Sequence, residues 1–191
     1  MKSSYIDDKT LKRLKKASDA VRWLPLWVSI ETGLRVGDVV SLKWENVSRD
    51  SISFVASKTK KSGTARISRA LFGALCATKR ESDWCFPSPK DSNKHIRRET
   101  VWYRIKSACK RAGIDAAGIS PHTMRKVFAV ELFKRAGMKA TQEALQHDKS
   151  STTEIYALSD FSTGDNAALP LTRGDIPLII EMVISALKNR A

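Results

Sequence analysis

Cysteine, histidine and tyrosine are all scarce in this chain, with three of each among 191 residues. Cys76, Cys85 and Cys109 are odd in number, scattered, and form no C-x-x-C pair. That excludes a disulfide framework and a structural zinc site, and leaves buried free thiols as the expectation. No stretch of about 18 uninterrupted apolar residues is present to span a bilayer. The longest run, IPLIIEMVISAL, is short and carries Glu181. The opening MKSSYIDDKTLKRLKK has no apolar centre, so it does not read as a signal peptide, and a soluble, cytoplasmic chain is expected. Also missing are a glycine-rich phosphate loop and carboxylates spaced for Mg²⁺, so no nucleotide, metal or other cofactor is expected.

Positive charge, by contrast, is abundant. Lysine and arginine number 34 against 20 aspartates and glutamates, a net charge of +14. The excess is uneven: residues 157–191 carry three basic and four acidic side chains, so the body of the chain is the cation and the tail is not. A polyanion is the expected partner, and nucleic acid the leading one. A hydrophobic fraction of 42% supplies a core, and the length suits one domain or at most two small ones.

Periodicity predicts a mainly α chain with one small antiparallel hairpin, an α+β fold. DDKTLKRLKKASDAVRWLPLWVSIETG reads as helical, with Pro25 restarting a helix at its first turn and Gly33 ending it. RVGDVVSLKWENV follows as a short helix with Val36, Val39, Val40 and Leu42 turned inward. SISFVASK alternates and is β-branched, TKKSG makes a turn, and TARIS returns. RALFGALCAT is helical, DWCFPSP a loop, and RETVWYRIKSACKRAG an amphipathic helix. SPHTMRKVFAVELFKRAG starts on Ser120 and Pro121 and runs to Gly137. Two short helices, KATQEALQH and STTEIYAL, and an apolar C-terminal helix complete the chain, the second short one with a Ser151–Glu154 capping pattern.

Several polar residues stand where an oxyanion would be held. Arg35 opens a short helix, with Asp38 three residues on to brace it or a neighbour. His122 and Arg125 share the first turn of a helix whose N-terminal dipole favours phosphate. In sequence order the segments ETGLRVGDVVSLKWENV, SKTKKSG, SPHTMRKVFAVELFKRAG and ALQHDKSSTTEIYALS resemble the tyrosine recombinases, the phage-type integrases. The resemblance spans roughly residues 20–160. It rests on Arg35 with Asp38, Lys58, His122 with Arg125, His147, and Tyr156 nine residues after that histidine. Two positions depart from the family pattern: Lys126 stands where many members carry histidine, and Gln146 where glycine is usual.

The resemblance implies a catalytic-domain fold and a function: site-specific cleavage and rejoining of DNA through a 3′-phosphotyrosyl intermediate, without metal or ATP. It implies Tyr156 as nucleophile, His122 as proton acceptor, Arg35 and Arg125 on the non-bridging oxygens, and His147 as a hydrogen-bond donor to one of them. A hairpin lysine would protonate the leaving 5′-oxygen: Lys58 matches the family position, and Lys60 and Lys61 lie close enough to substitute. Lys60, Lys61 and Lys126 are the expected DNA contacts. The expected partners are double-stranded DNA and further copies of the chain on it, from dimer to tetramer. The chain is read as one catalytic domain, 1–191, with a basic lead-in over 1–20 and a tail over 157–191 that packs on a neighbouring protomer or on its own domain. A regulatory DNA-binding module that does not cut, and a type IB topoisomerase-like strand transferase, are the alternatives.

Overall fold

A computed structural model describes residues 3–145, which lie within the first, residues 1–146, of the two compact units into which the chain divides. His147, Tyr156, the Ser151–Glu154 pattern and the C-terminal helix fall outside the described residues.

Two capped helices begin the fold. In α1 (Asp8–Lys16) the Asp7 carboxylate accepts from Thr10 N at 2.8 Å, and in α2 (Ala20–Thr32) Asp19 accepts from Arg22 N at 3.0 Å. The long helical stretch therefore restarts at Asp19, not at Pro25. Pro25 sits inside α2, where it leaves the carbonyl four residues back without its helical donor. Gly33 ends α2 with φ 69°, the left-handed cap expected of it. A five-residue α3 (Val36–Val40) and a 3₁₀ turn (Trp44–Asn46) lead into β1 (Ser51–Val55).

Strand β1 pairs antiparallel with β2 (Ser62–Arg66), Ser51 opposite Arg66 and Val55 opposite Ser62. The turn is thus earlier than TKKSG: it covers Ser57–Lys60, closed by Lys60 N to Ala56 O (2.8 Å) and Ala56 N to Lys61 O (2.9 Å). Helix α4 (Arg69–Cys76) follows. Next comes a second, bulged pair that the sequence did not announce, β3 (Pro87–Ser88) with β4 (Asp91–His95). Helix α5 (Arg98–Ala112) ends at Gly113, φ 61°. Helix α6 (Pro121–Leu145) is broken at Gly137 (φ 75°), where the sequence predicted one helix to end and another to start.

The core forms where these apolar stripes meet. Val101, Ile105, Ala108 and Cys109 line one face of α5 at helical spacing, and Leu14, Val28, Val39, Ile52, Leu71 and Met124 are fully buried around them. Each such aliphatic side chain contributes about 1.5–3 kcal/mol through burial. Cys85 and Cys109 are buried and Cys76 is exposed. Burial pushes the Cys85 thiol up to about 12, which keeps it unreactive.

One carboxylate fastens the helices to the hairpin. Glu31, near the end of α2, accepts from Trp27 Nε1 (2.7 Å), Ser68 N (2.7 Å) and Ser68 Oγ (2.8 Å). Ser68 in turn caps α4 by accepting from Leu71 N at 3.1 Å. The end of α2 and the exit of β2 are thereby held as one piece. Among the described residues no helix is long and apolar enough to cross a membrane.

Candidate active site

The segment between α2 and α3 is locked before it reaches Arg35. Thr32 Oγ1 donates to Val28 O (2.6 Å) and accepts from Leu34 N (3.2 Å), while Ser29 Oγ donates to Leu34 O (2.8 Å). Arg35 then sits at the N-cap of α3 in an extended conformation, half-buried. Its guanidinium forms no hydrogen bond or ion pair among the described residues. An arginine fixed at its backbone and open at its fork is suited to an oxyanion.

Arg125 is placed in the opposite way. It is 3% exposed on α6 and donates from Nη1 to Gly33 O and from Nη2 to Leu145 O, the latter at 2.8 Å. These two carbonyls take two of the five N–H donors of the guanidinium. Gly33 is two residues before Arg35, and Leu145 is two residues before His147. Arg125 therefore ties the segment leading to Arg35 and the end of α6 to one point through the backbone. His122, expected to share a face with Arg125, is exposed at the start of α6 while Arg125 is buried.

The Gly33 position permits this only as glycine. Its φ is 69°, and a Cβ there would lie 2.5 Å from Phe128 Cδ1. Gly33→Ala is expected to cost about 2–4 kcal/mol, summing the left-handed penalty and overpacking against the ring. Urea unfolding measures it, and wild-type stability would show that the ring moves aside freely.

Asp38 does not brace Arg35. It is 5% exposed in the first turn of α3, and its Oδ1 accepts from Ser57 N at 3.0 Å. The acid three residues after Arg35 thus anchors the turn that carries Lys58. Lys58 and Lys60 are exposed on that turn and Lys61 is exposed at its end. Lys60 has φ 58°, the one non-glycine residue at positive φ among the described residues. The turn that carries the three lysines is hydrogen-bonded at both ends.

Lys126 corrects an expectation. It is 4% exposed, and its ammonium donates to Ser3 O, so it holds the N-terminal segment against α6 and is not part of the exposed surface. Ser3 and Ser120 join the same cluster, with Ser3 Oγ 3.1 Å from Thr123 Oγ1 and Ser120 Oγ 3.4 Å from Ser3 Oγ. Ser120 thus spends its hydroxyl on Ser3, and Thr123 Oγ1 reaches back to Ser120 N at 3.1 Å.

Tyr5 and Tyr103 are the two tyrosines among the described residues. Burial, with Glu131, Asp7 and Asp8 adding to it, pushes the Tyr5 phenol above its ordinary value, so it ionises less readily. Tyr103 is 67% exposed on α5, edge-on to Trp102 at 5.0 Å. The residues that sequence reasoning missed are backbone groups, Gly33 O, Leu145 O and Ser57 N, which no side-chain motif announces. Among the described residues no cluster of three or more histidine, cysteine or acidic side chains is placed to hold a metal ion.

The chain is 35% identical over 134 residues to tyrosine recombinase XerD of Rhizobium meliloti (strain 1021), covering 65% of this chain and 43% of that protein. It spans less than half the length of that relative. Among solved structures, a lambda integrase dimer bound to a COC′ core site superposes with a TM-score of 0.70 at 20% identity, covering 88% of this chain and 51% of that one. The catalytic domain of bacteriophage HP1 integrase superposes with a TM-score of 0.62 at 23% identity, covering 82% of this chain and 88% of that domain. A model of the phage integrase family matches residues 5–163, and the chain belongs to that family.

Proposed function

We propose that this chain is the catalytic part of a site-specific DNA recombinase, which cuts and rejoins strands through a 3′-phosphotyrosyl intermediate. The observation that carries the reading is the shared backbone of the two arginines: Arg125 holds Gly33 O, and Arg35 follows two residues later with its fork unengaged. Two guanidiniums held this way can neutralise the two non-bridging oxygens of one phosphate in a preorganised site.

The chemistry balances within the chain. Tyr156 Oη attacks phosphorus and yields its proton to His122. The P–O5′ bond breaks, and a hairpin lysine, Lys58 by position, protonates the departing oxygen. One phosphodiester is exchanged for another, so no energy source is consumed, and a 5′-hydroxyl from a second strand reverses the step. His147 donates to a non-bridging oxygen. The partner is double-stranded DNA, in keeping with the high net charge of +14. A dimer or higher assembly on DNA is the working form, by analogy with the DNA-bound dimer of lambda integrase.

The test uses a pool of nicked duplexes with a randomised core. Incubation with the chain should give a protein–DNA band that survives denaturation, and sequencing the captured DNA should return a defined site. Retention of DNA without a covalent band at any sequence would replace this reading with the regulatory binding module. Covalent capture without sequence preference would favour a topoisomerase-like transferase.

A further inference from the structure

Three unrelaxed features are found at the hairpin turn that carries Lys58 and at the acid on α3 that anchors it. Asp38 is 5% exposed, and while its Oδ1 accepts from Ser57 N at 3.0 Å, its Oδ2 is buried with no hydrogen-bond partner. Thr59 Oγ1 is likewise buried without a partner. Lys60 adopts φ 58°, a conformation that costs a non-glycine residue about 1 kcal/mol or more. Buried polar atoms without partners cost about 1–3 kcal/mol each. Native folds retain few of them, and each calls for a reason.

The two orphaned atoms are complementary. A carboxylate oxygen accepts only, and a threonine hydroxyl can donate. Asp38, on α3, already holds the amide of Ser57, two residues before Thr59. The ends of the turn are fixed by the Ala56–Lys60 and Ala56–Lys61 backbone bonds and Ser57 by Asp38, so Lys58 and Thr59 are the part able to rearrange. Lys58 lies between the two attachment points, exposed and without an ion pair among the described residues.

We infer that Thr59 is a positioning residue for Lys58, acting through Asp38: in the DNA-engaged turn the Thr59 hydroxyl donates to Asp38 Oδ2. The carboxylate then grips the backbone before Lys58 and the side chain after it. That fixes the direction of the ammonium and relieves both orphaned atoms. Asp38 stands three residues after Arg35 on the same short helix, so a phosphate seated on Arg35 and a turn closed by Thr59 share one support. The inference rests on the recombinase reading, in which Lys58 gives its proton to the 5′-oxygen as the P–O5′ bond breaks.

The experiment compares two versions of a duplex recovered from the randomised pool, one ordinary and one with sulfur replacing the bridging 5′-oxygen. A thiolate leaves without protonation, so the sulfur duplex does not need the lysine. Thr59→Val removes the hydroxyl and keeps the shape. It is expected to slow single-turnover covalent capture about 30-fold on the ordinary duplex, a modest share of what general acid catalysis supplies. On the sulfur duplex it should stay within about 3-fold of wild type, with DNA affinity unchanged. Thr59→Ser restores the donor and should recover the ordinary rate. Wild-type behaviour of Thr59→Val on the ordinary duplex, or equal loss on both duplexes, overturns the role of Thr59 while leaving the recombinase reading intact. Absence of covalent capture by the wild-type chain overturns that reading and this inference with it.

Discussion

Tyr156→Phe is expected to abolish the covalent protein–DNA band while leaving DNA affinity within about two-fold of wild type. The phenol oxygen is the only atom removed, and in the proposed chemistry it is the atom that forms the new bond to phosphorus. Removing a nucleophile lowers turnover by orders of magnitude without a matching loss of binding. A denaturing gel reads the covalent adduct, and a filter-binding titration at fixed salt reads affinity, since phosphate contacts make it salt-dependent. A band that persists in the variant would move the nucleophile elsewhere. Tyr5, whose phenol is pushed up chiefly by burial, would be a poor replacement.

Arg125 carries the second large effect, on stability as well as rate. Arg125→Ala leaves Gly33 O and Leu145 O, which it holds from a position 3% exposed, without their donors. Two buried acceptors losing partners should cost about 2–4 kcal/mol in urea unfolding. Covalent capture should fall at least about 10³-fold, as the Gly33–Arg35 segment loses its tie and the phosphate loses a charge. Arg125→Lys separates the two roles. A single ammonium reaches one carbonyl in place of two, so stability should recover in part while capture stays low, because the planar fork is gone. Full stability in Arg125→Ala, with capture lost, would show that the guanidinium does not hold these carbonyls in solution.

What was legible in the sequence was whatever the local chain decides. Gly33 announced a left-handed cap and Gly137 a break, and both have the positive φ that glycine tolerates best. The alternation in SISFV announced a strand. The turn after it lies earlier than TKKSG, since Gly63 is in β2 opposite Phe54 and the left-handed turn residue is Lys60. The β3–β4 pair escaped notice because PSPKDSNKH offers no apolar alternation to read. Lys126 looked like a DNA contact because nothing nearby in sequence shows that its ammonium meets the carbonyl of Ser3. Asp38, expected to brace Arg35 or a neighbour, instead holds a backbone amide in a different element, which its local sequence does not show. The types of the catalytic candidates could be read from their order; their supports are long-range backbone contacts, and those could not.

The Glu31 clasp sets a rule for building hybrids from members of this family. Exchanging the β1–β2 ribbon alone would cut across a junction where one acid satisfies an indole, an amide and a hydroxyl at once. A donor segment that runs on through position 68 without serine there would lose the hydroxyl donor to that acid beside the TGLR segment, so a transplant retains its geometry only when positions 27, 31 and 68 travel together.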